Sequence, residues 1–582
     1  MQVFGVLTSL LALLVQLPGS AKTQLTGVQT IALPANTPGD ALGLAELGTA
    51  EAVERLCARN ITSVQYATAL LQRGHLWECL NAFSEVDVER VLTEAQAVDD
   101  RAAAGRDVGP LCGLSIVVKD LYDVANYTTA AGTPSLTGNV PQNNSVLIDK
   151  FLAANGVVLG KTRMHELAYG VTSINPFFGP VLNPYNNTCH TGGSSGGTAA
   201  LIAARATSAG FCSDTGGSCR IPGAMCGTAG FRPTSGCYDA GDGIVPLVPS
   251  RDTPGMMARS VEDIILMNSV LSSCNTSIPA VSLSGLRVGF ATNWWSQVAD
   301  ESNSAYEQAF TALQEAGVEL VDVDFSSVQS FSDQLFPDVS GYTFEMPGAI
   351  SKYLYRHKSD LSFYTLAEEI ASPTVYSTVQ GIVEKPAEVY PTLQDYINIF
   401  STYRPQLTAM YNAKYDEAEV DIIMTPMTSV PATPISATEP YTSFKGRYLL
   451  NRDLLRVTSV IEPEIGAPGL NIPIGLGETS LPVGLQIQAR SGYDNLLLAV
   501  GEAMQDVLPQ MPPPPAPLCT GCSPQALTQQ VTYSGTGPLQ NGQTTSAYTL
   551  SFEGACPIKS MMQTVLASSA VQDNVNSVVT FD

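Results

Sequence analysis

Histidine is scarce: there are 4 in 582 residues. An imidazole-rich metal centre would use most of them, so metal chemistry is not favoured and neither metal ligands nor a cofactor are read from the chain. Charge is also sparse, at 14% of residues, and basic residues are the minority. With 29 Lys and Arg against 53 Asp and Glu, the net charge is 29 − 53 = −24. A polyanion partner needs a basic patch, so no nucleic-acid partner is expected. Beyond the first twenty or so residues no apolar run reaches the roughly 20 residues of a membrane span, and no stable span is expected. What the chain does have is 45% hydrophobic residues, enough to build a core and to exclude wholesale disorder. Its length exceeds one small module. No internal repeat is present, and no motif fixes an oligomeric state.

No charge precedes Lys22. Residues 3–17 are nearly all apolar, and Pro18-Gly19-Ser20-Ala21 follows. Residues 1–21 therefore read as a secretory signal peptide, although the usual Lys or Arg ahead of the apolar stretch is missing. Two further features fit a secreted protein. The 12 cysteines are an even number, compatible with disulfides in an oxidising compartment. Glycosylation sequons occur at Asn60, Asn126, Asn143, Asn186 and Asn275. Asn186 lies closest to the motif described below and is the one not expected to carry a glycan.

Residues 22–44 read as a polar N-terminal arm. From 45 to 507 strands and helices alternate, which argues for a single large α/β domain with a mixed sheet flanked by helices. Helical periodicity covers 44–104, with Leu71, Ala82 and Val91 on apolar positions. A buried strand is expected over 111–118, ending at Lys119-Asp120. A helix over 146–154 and a short strand over 156–159, closed by Gly160, follow. Further strands are expected at 286–290, 320–323, 420–425 and 481–488, and helices at 301–316 and 495–507. Residues 331–415 read as mostly helical and Tyr-rich, the tyrosines packing between helices. Residues 508–517 include Pro512–Pro515 and read as an extended linker. Residues 518–582 are rich in Ser, Thr and Gln, with strand character at 531–533 and 547–552. Cys519, Cys522 and Cys556 make this either a small disulfide-stapled extension or an unstructured tail. Three cysteines fall one short of a four-Cys zinc site.

The chemistry is concentrated in two segments, His190-Thr191-Gly192-Gly193-Ser194-Ser195-Gly196-Gly197-Thr198 and Ser213-Asp214-Thr215-Gly216-Gly217-Ser218-Cys219-Arg220. An Ala-rich helix is expected between them, over 198–209. Glycines let successive backbone N–H groups turn toward one point, and a serine at the end of such a loop presents its hydroxyl beside those donors. A serine nucleophile also needs a base. No histidine sits in a nucleophile-elbow context. Lys119, at the end of a buried run, can serve if burial lowers its pKa.

These segments resemble the amidase signature family of serine hydrolases. So do Val117-Val118-Lys119-Asp120, Gly160-Lys161-Thr162-Arg163-Met164-His165-Glu166, Asn175-Pro176-Phe177-Phe178-Gly179, Thr425-Pro426 and Gly466-Ala467-Pro468-Gly469. The resemblance covers roughly 45–505. It implies a Ser–cis-Ser–Lys triad: Ser218 as nucleophile, Ser194 as the bridging serine after a cis Gly193–Ser194 bond, and Lys119 as base. It implies that the N–H groups of Thr215, Gly216, Gly217 and Ser218, with Ser194 beside them, receive the oxyanion, and that Asp214 and Arg220 support the loop. His165-Glu166 reads as scaffold. The activity implied is hydrolysis of a small-molecule amide without a cofactor.

Departures from the family pattern are Cys189, Arg232 in Phe231-Arg232-Pro233, and the cluster Cys212, Cys219, Cys226 and Cys237. Cys219 is expected as a buried small hydrophobe, and Cys212 or Cys237 as a disulfide partner. Three other readings compete. One is an ester or carbamate hydrolase using the same site. Another is an amidotransferase subunit, which the signal peptide and the acidity oppose. The third is a retired enzyme serving as a surface or binding protein, which the intact triad opposes.

Overall fold

The computed structural model describes residues 31, 39–335, 338–384, 392–435, 441–515, 530–535 and 546–551. The expected signal peptide, most of the arm, and Cys519, Cys522 and Cys556 lie outside the described residues.

The strands are β1 (Phe83–Glu85), β2 (Ser115–Lys119), β3 (Val157–Thr162), β4 (Ala209–Asp214), β5 (Ala229–Arg232), β6 (Thr253–Ala258), β7 (Arg287–Ala291), β8 (Glu319–Val323), β9 (Ile422–Pro426), β10 (Tyr441–Phe444), β11 (Arg447–Leu450), β12 (Gly469–Leu476), β13 (Pro482–Gln488), β14 (Gln530–Gly535) and β15 (Ser546–Ser551). Eleven of them form one sheet, in the order β1-β3-β2-β4-β6-β5-β12-β13-β9-β7-β8. β2 runs parallel to β3 and β4, and β7 runs parallel to β8 and β9. The other pairings are antiparallel, so the sheet is mixed, as expected. β10 pairs with β11 and β14 with β15 as separate hairpins, the second covering the strand character expected near 531 and 547.

The centre of the sheet explains the apolar run that leads to Lys119. All five residues of β2 are buried. A central parallel strand is covered on both faces, so it reads as a continuous apolar stretch instead of an alternating one. Its parallel register sets Val117 opposite Gly210 and Val118 opposite Phe211. That brings the end of β2 beside the end of β4, where the second glycine–serine segment starts.

Several boundaries differ from the sequence reading, each for a local reason. The strand expected over 111–118 begins only at Ser115, because Cys112 and Gly113 have φ of +48° and +90° and form a turn. β3 continues through Gly160 to Thr162. The glycine is there because a Cβ would stand 2.8 Å from the Glu85 carbonyl of the neighbouring chain segment. The Ala-rich helix runs over Gly196–Ala203, not 198–209: Arg205 takes φ +61° and Ala206 N–H bonds back to the Leu201 carbonyl. This left-handed stop frees Ala209 to begin β4. Ala82 precedes β1 and is not helical, since Asn81 at φ +53° ends the turn before it. The 331–415 region is mostly helical, as expected. Tyr411 and Tyr415 are fully buried with their hydroxyls 2.6 Å apart, whereas Tyr355, Tyr364 and Tyr376 are exposed.

Disulfides join Cys57 to Cys112, Cys212 to Cys219, and Cys237 to Cys274. Cys212 and Cys237 are thus both bonded. Cys219 is buried in an apolar cluster, as expected, but its sulfur is bonded to that of Cys212. The proline-rich stretch is laid on the domain: Tyr185 donates its hydroxyl to the Pro512 carbonyl at 2.7 Å, and Met511 packs over Gly227. Among the described residues no helix is long and apolar enough to cross a membrane.

Candidate active site

β2 delivers Lys119 into the protein with no exposed surface. Its Nζ lies 2.7 Å from Ser194 Oγ and 2.8 Å from Ser213 Oγ. Ser194 follows a cis peptide bond with Gly193. Its carbonyl accepts from the His165 N–H at 3.0 Å and the Ser173 hydroxyl at 3.3 Å, which fixes the turn. Gly193 has no room for a side chain, since a Cβ would stand 2.7 Å from the Thr172 nitrogen. The loop is pinned at its start by His190, whose Nδ1 accepts from the Gly192 N–H at 3.0 Å.

Burial decides the charge state of Lys119. It pushes the ammonium from 10.5 down to about 7, against the opposing pull of the Asp214 and Asp252 carboxylates. That is a net preference of about 5 kcal/mol for the neutral amine relative to water. A neutral amine has a lone pair for the Ser194 hydroxyl and N–H donors for Ser213. Burial, with Lys119 nearby, holds His165 down at about 4, and burial, with His165 nearby, does the same for His190. Both imidazoles are neutral near pH 7.

The second loop is organised around Asp214. Burial alone would raise its carboxyl, but Arg220, then Arg232 and the Gly217 N–H, hold it at about 2. Arg220 meets it with two bonds of 3.0 Å, a fork-on-carboxylate arrangement. The far side of Arg220 is held by Gln486 Oε1 at 2.6 Å, Glu462 at 3.2 Å and the Ser459 carbonyl at 3.1 Å. Arg232 donates to the Asp214 carbonyl. Asp214 and Arg220 are thus fixed to each other and, through Gln486, Glu462 and Ser459, to the segments around the loop.

Gly217 departs from its expected part. Its N–H is donated to Asp214 Oδ1 at 2.8 Å, so it shapes the loop and does not face an oxyanion. It has φ +101°, and a Cβ there would stand 2.4 Å from Ser459 Oγ, which leaves glycine as the residue that fits. Gly216 is held by its carbonyl, which accepts from Ser459 Oγ at 3.2 Å. The Thr215 hydroxyl donates to Asp252 at 2.6 Å. Ser218 is buried but keeps 7% of its surface open. Its carbonyl accepts from the Ser195 N–H at 3.3 Å, which joins the two serine loops. The Ser218 Oγ makes no hydrogen bond among the described residues.

Sequence reasoning passes over Ser213 and Asp252. Ser213 stands beside Asp214 in the quoted segment, but its bond to Lys119 depends on the parallel register of β2 and β4. Asp252 comes from the turn before β6, where it also accepts the Leu247 and Val248 N–H groups at 2.8 and 3.0 Å. Glu166 is tied to the Ala371 and Ser372 N–H groups at 3.1 and 2.6 Å, a structural role. Asn60, Asn126, Asn143 and Asn275 are exposed, while Asn186 is half-buried with its Oδ1 on Thr188. Among the described residues no group of three or more His, Cys, Asp or Glu is placed to hold a metal ion.

Known proteins share this architecture. Residues 67–498 match the family described as Amidase. The chain is 34% identical over 484 residues to mandelamide hydrolase of Pseudomonas putida, covering 81% of this chain and 93% of that protein. It is 33% identical over 448 residues to indoleacetamide hydrolase of Allorhizobium ampelinum, covering 76% of this chain and 93% of that one. Among solved structures, a crystal structure of an amidase superposes with TM-score 0.68 and 27% identity, covering 80% of this chain and all of that one.

Proposed function

This chain belongs to the amidase family of hydrolases acting on non-peptide C–N bonds, and from that premise we propose that it is a secreted hydrolase of small aryl-alkanoic amides working through an acyl-enzyme on Ser218. The observation that carries the mechanism is the contact of 2.7 Å between Ser194 Oγ and an Lys119 Nζ whose pKa burial lowers to about 7. Ser218 Oγ turns toward Ser194, gives it a proton as Ser194 passes its own to Lys119, and attacks the amide carbonyl. The carbonyl oxygen becomes an oxyanion facing the N–H groups of Thr215, Gly216 and Ser218. Collapse breaks the C–N bond, and the proton held on Lys119 returns through Ser194 to the leaving nitrogen. Water then attacks the Ser218 ester and gives a proton through Ser194 to Lys119. Collapse breaks the acyl C–Oγ bond, the proton returns through Ser194 to Ser218 Oγ, and the carboxylic acid leaves. Asp214 and Arg220 hold the loop so that little reorganisation is needed during the reaction.

The substrate class rests on the relatives: mandelamide and indoleacetamide are both amides carried on a short arm from an aromatic ring. The expected result in a panel of matched substrates is turnover of arylacetamides with kcat/KM at least tenfold above that for aliphatic amides of equal size, as one extra pocket contact supplies about 1–3 kcal/mol. Esters of the same acids should gain no more over the amides than their uncatalysed reactivity gives them. A larger ester advantage would make the protein an esterase or carbamate hydrolase.

Secretion is supported by the three disulfides among the described residues and by the exposed sequons at Asn60, Asn126, Asn143 and Asn275. Enzymatic removal of N-glycans from protein collected outside the cell should lower its mass. An unchanged mass, or an active pool confined to the cytosol, would contradict secretion.

A further inference from the structure

Three disulfides are present among the described residues, and one of them spans the reacting loop. Cys212 and Cys219 are 7 residues apart, against 55 for Cys57–Cys112 and 37 for Cys237–Cys274. A bond that closes so short a loop removes the least chain entropy from the unfolded state, so global stability is the weakest reason for its presence.

Its position supplies a better reason. Cys212 lies in β4, immediately before Ser213, which holds Lys119 at 2.8 Å. Cys219 is the N-cap residue of the helix Arg220–Cys226 and immediately follows Ser218. The bond therefore ties the residue next to the base's second partner to the residue next to the nucleophile. The loop between them contains Gly216 and Gly217, the second at φ +101°, a segment with little intrinsic preference for one shape. Asp214 pins the middle of the loop through the Gly217 and Cys219 N–H groups at 2.8 and 3.3 Å.

Packing keeps the sulfurs in place. Both cysteines are fully buried, in a cluster with Ala199, Ile202, Cys226 and Met257. They press on Gly255 of β6, where a Cβ would stand 2.5 Å from Cys219 Sγ and 3.2 Å from Cys212 Sγ. Cys226, in the same cluster, stays a free thiol. Of the cysteines gathered here, the pair that is bonded is the pair that brackets the loop.

We propose that the Cys212–Cys219 disulfide is a positioning clamp for the nucleophile loop, holding Ser218 in line with the Ser194–Lys119 relay. The inference rests on Ser218 being the nucleophile. Neither sulfur touches substrate, and the clamp acts through Ser218 and Ser213.

One tryptic peptide reads the clamp and the nucleophile together. Residues 206–220 contain Cys212, Ser218 and Cys219 and no other cysteine. In the active wild-type protein, mapped without reduction, this peptide should be lighter by the two hydrogens lost on forming the bond. After reaction with a fluorophosphonate it should carry the adduct on Ser218. In Cys212→Ala/Cys219→Ala, kcat and the fluorophosphonate labelling rate should fall together by roughly 10²-fold, the scale of a small misplacement of reacting groups. KM should change less than threefold or so, and the pH limb of Lys119 should stay where it is. Cys57→Ala/Cys112→Ala and Cys237→Ala/Cys274→Ala should do the reverse, lowering the melting temperature and leaving kcat of the folded protein unchanged. Wild-type kcat and labelling rate in the Cys212→Ala/Cys219→Ala protein would overturn the clamp. So would free thiols at both positions in fully active wild type, a result that stands even if the double variant does not fold. A wild type that turns over amides without labelling at Ser218 would overturn the nucleophile assignment instead.

Discussion

Replacing Ser218 by alanine is expected to lower kcat by about 10⁶-fold, the scale seen when the nucleophile of a hydrolase relay is removed. The protein should fold normally, since the Ser218 Oγ has no hydrogen bond among the described residues and its loss leaves no partner stranded. Substrate affinity should change little, because the Asp214–Arg220 support and the glycine turns do not depend on that hydroxyl. Progress curves for the purified variant, with circular dichroism and the melting temperature as controls, check this. Activity within tenfold or so of wild type would place the nucleophile elsewhere. Cys219 is not available as a substitute, because its sulfur is in a disulfide. Cys226 is excluded as well, since burial pushes its thiol far up and keeps it protonated.

Lys119→Met is expected to lower kcat/KM by roughly 10²–10⁴-fold, the usual contribution of a general base. In wild type, kcat/KM should rise with pH through about 7, because the protonated ammonium cannot accept the Ser194 proton and the neutral amine can. The limb should vanish in the variant. His165 and His190 cannot mimic it, as both lose their protons near 4. The stability of the variant separates this account from simple misfolding. The folded-state pKa of Lys119 lies below its unfolded value of 10.5. The unfolded chain therefore binds the extra proton, and Lys119 opposes folding most strongly below about 7, less as pH rises toward 10.5. Removing that penalty of about 5 kcal/mol offsets the unpartnered Ser194 and Ser213 hydroxyls, at about 1–3 kcal/mol each. The melting temperature at neutral pH should thus stay close to wild type. A large destabilisation together with an unshifted pH limb would show that Lys119 is structural.

What the sequence discloses about this site is local, and what it hides is long-range. The two glycine–serine segments can be read because their chemistry is written in consecutive residues: the glycines permit turns, and the serines follow them. β2 and β4 are visible as apolar runs. Their parallel pairing is not, so Ser213 escapes notice even though it sits next to Asp214. The end of the Ala-rich helix is hidden because Arg205 adopts φ +61° without being glycine. Gly160 reads as a stop, yet the chain passes straight through it, since the reason for the glycine is the Glu85 carbonyl on another strand. Cysteine pairing is the clearest case. The sequence points to Cys212 or Cys237 as a disulfide partner and to Cys219 as a small hydrophobe, and only the placement of β4 against the helix Arg220–Cys226 brings Cys212 and Cys219 together. Gly217 shows the limit of carrying roles over by motif: its N–H is in the right loop but already belongs to Asp214.

The most direct test of the Ser218 acyl-enzyme is to trap it. An arylacetamide that turns over should be mixed with the enzyme, quenched in acid within a few turnovers, and the protein digested and weighed by mass spectrometry. The expected result is the aryl-acyl group as an ester on Ser218, within the peptide 206–220, in wild type and not in Ser218→Ala. Steady turnover with the acyl group on a different residue, or with no acyl group on the protein at any quench time, would contradict it.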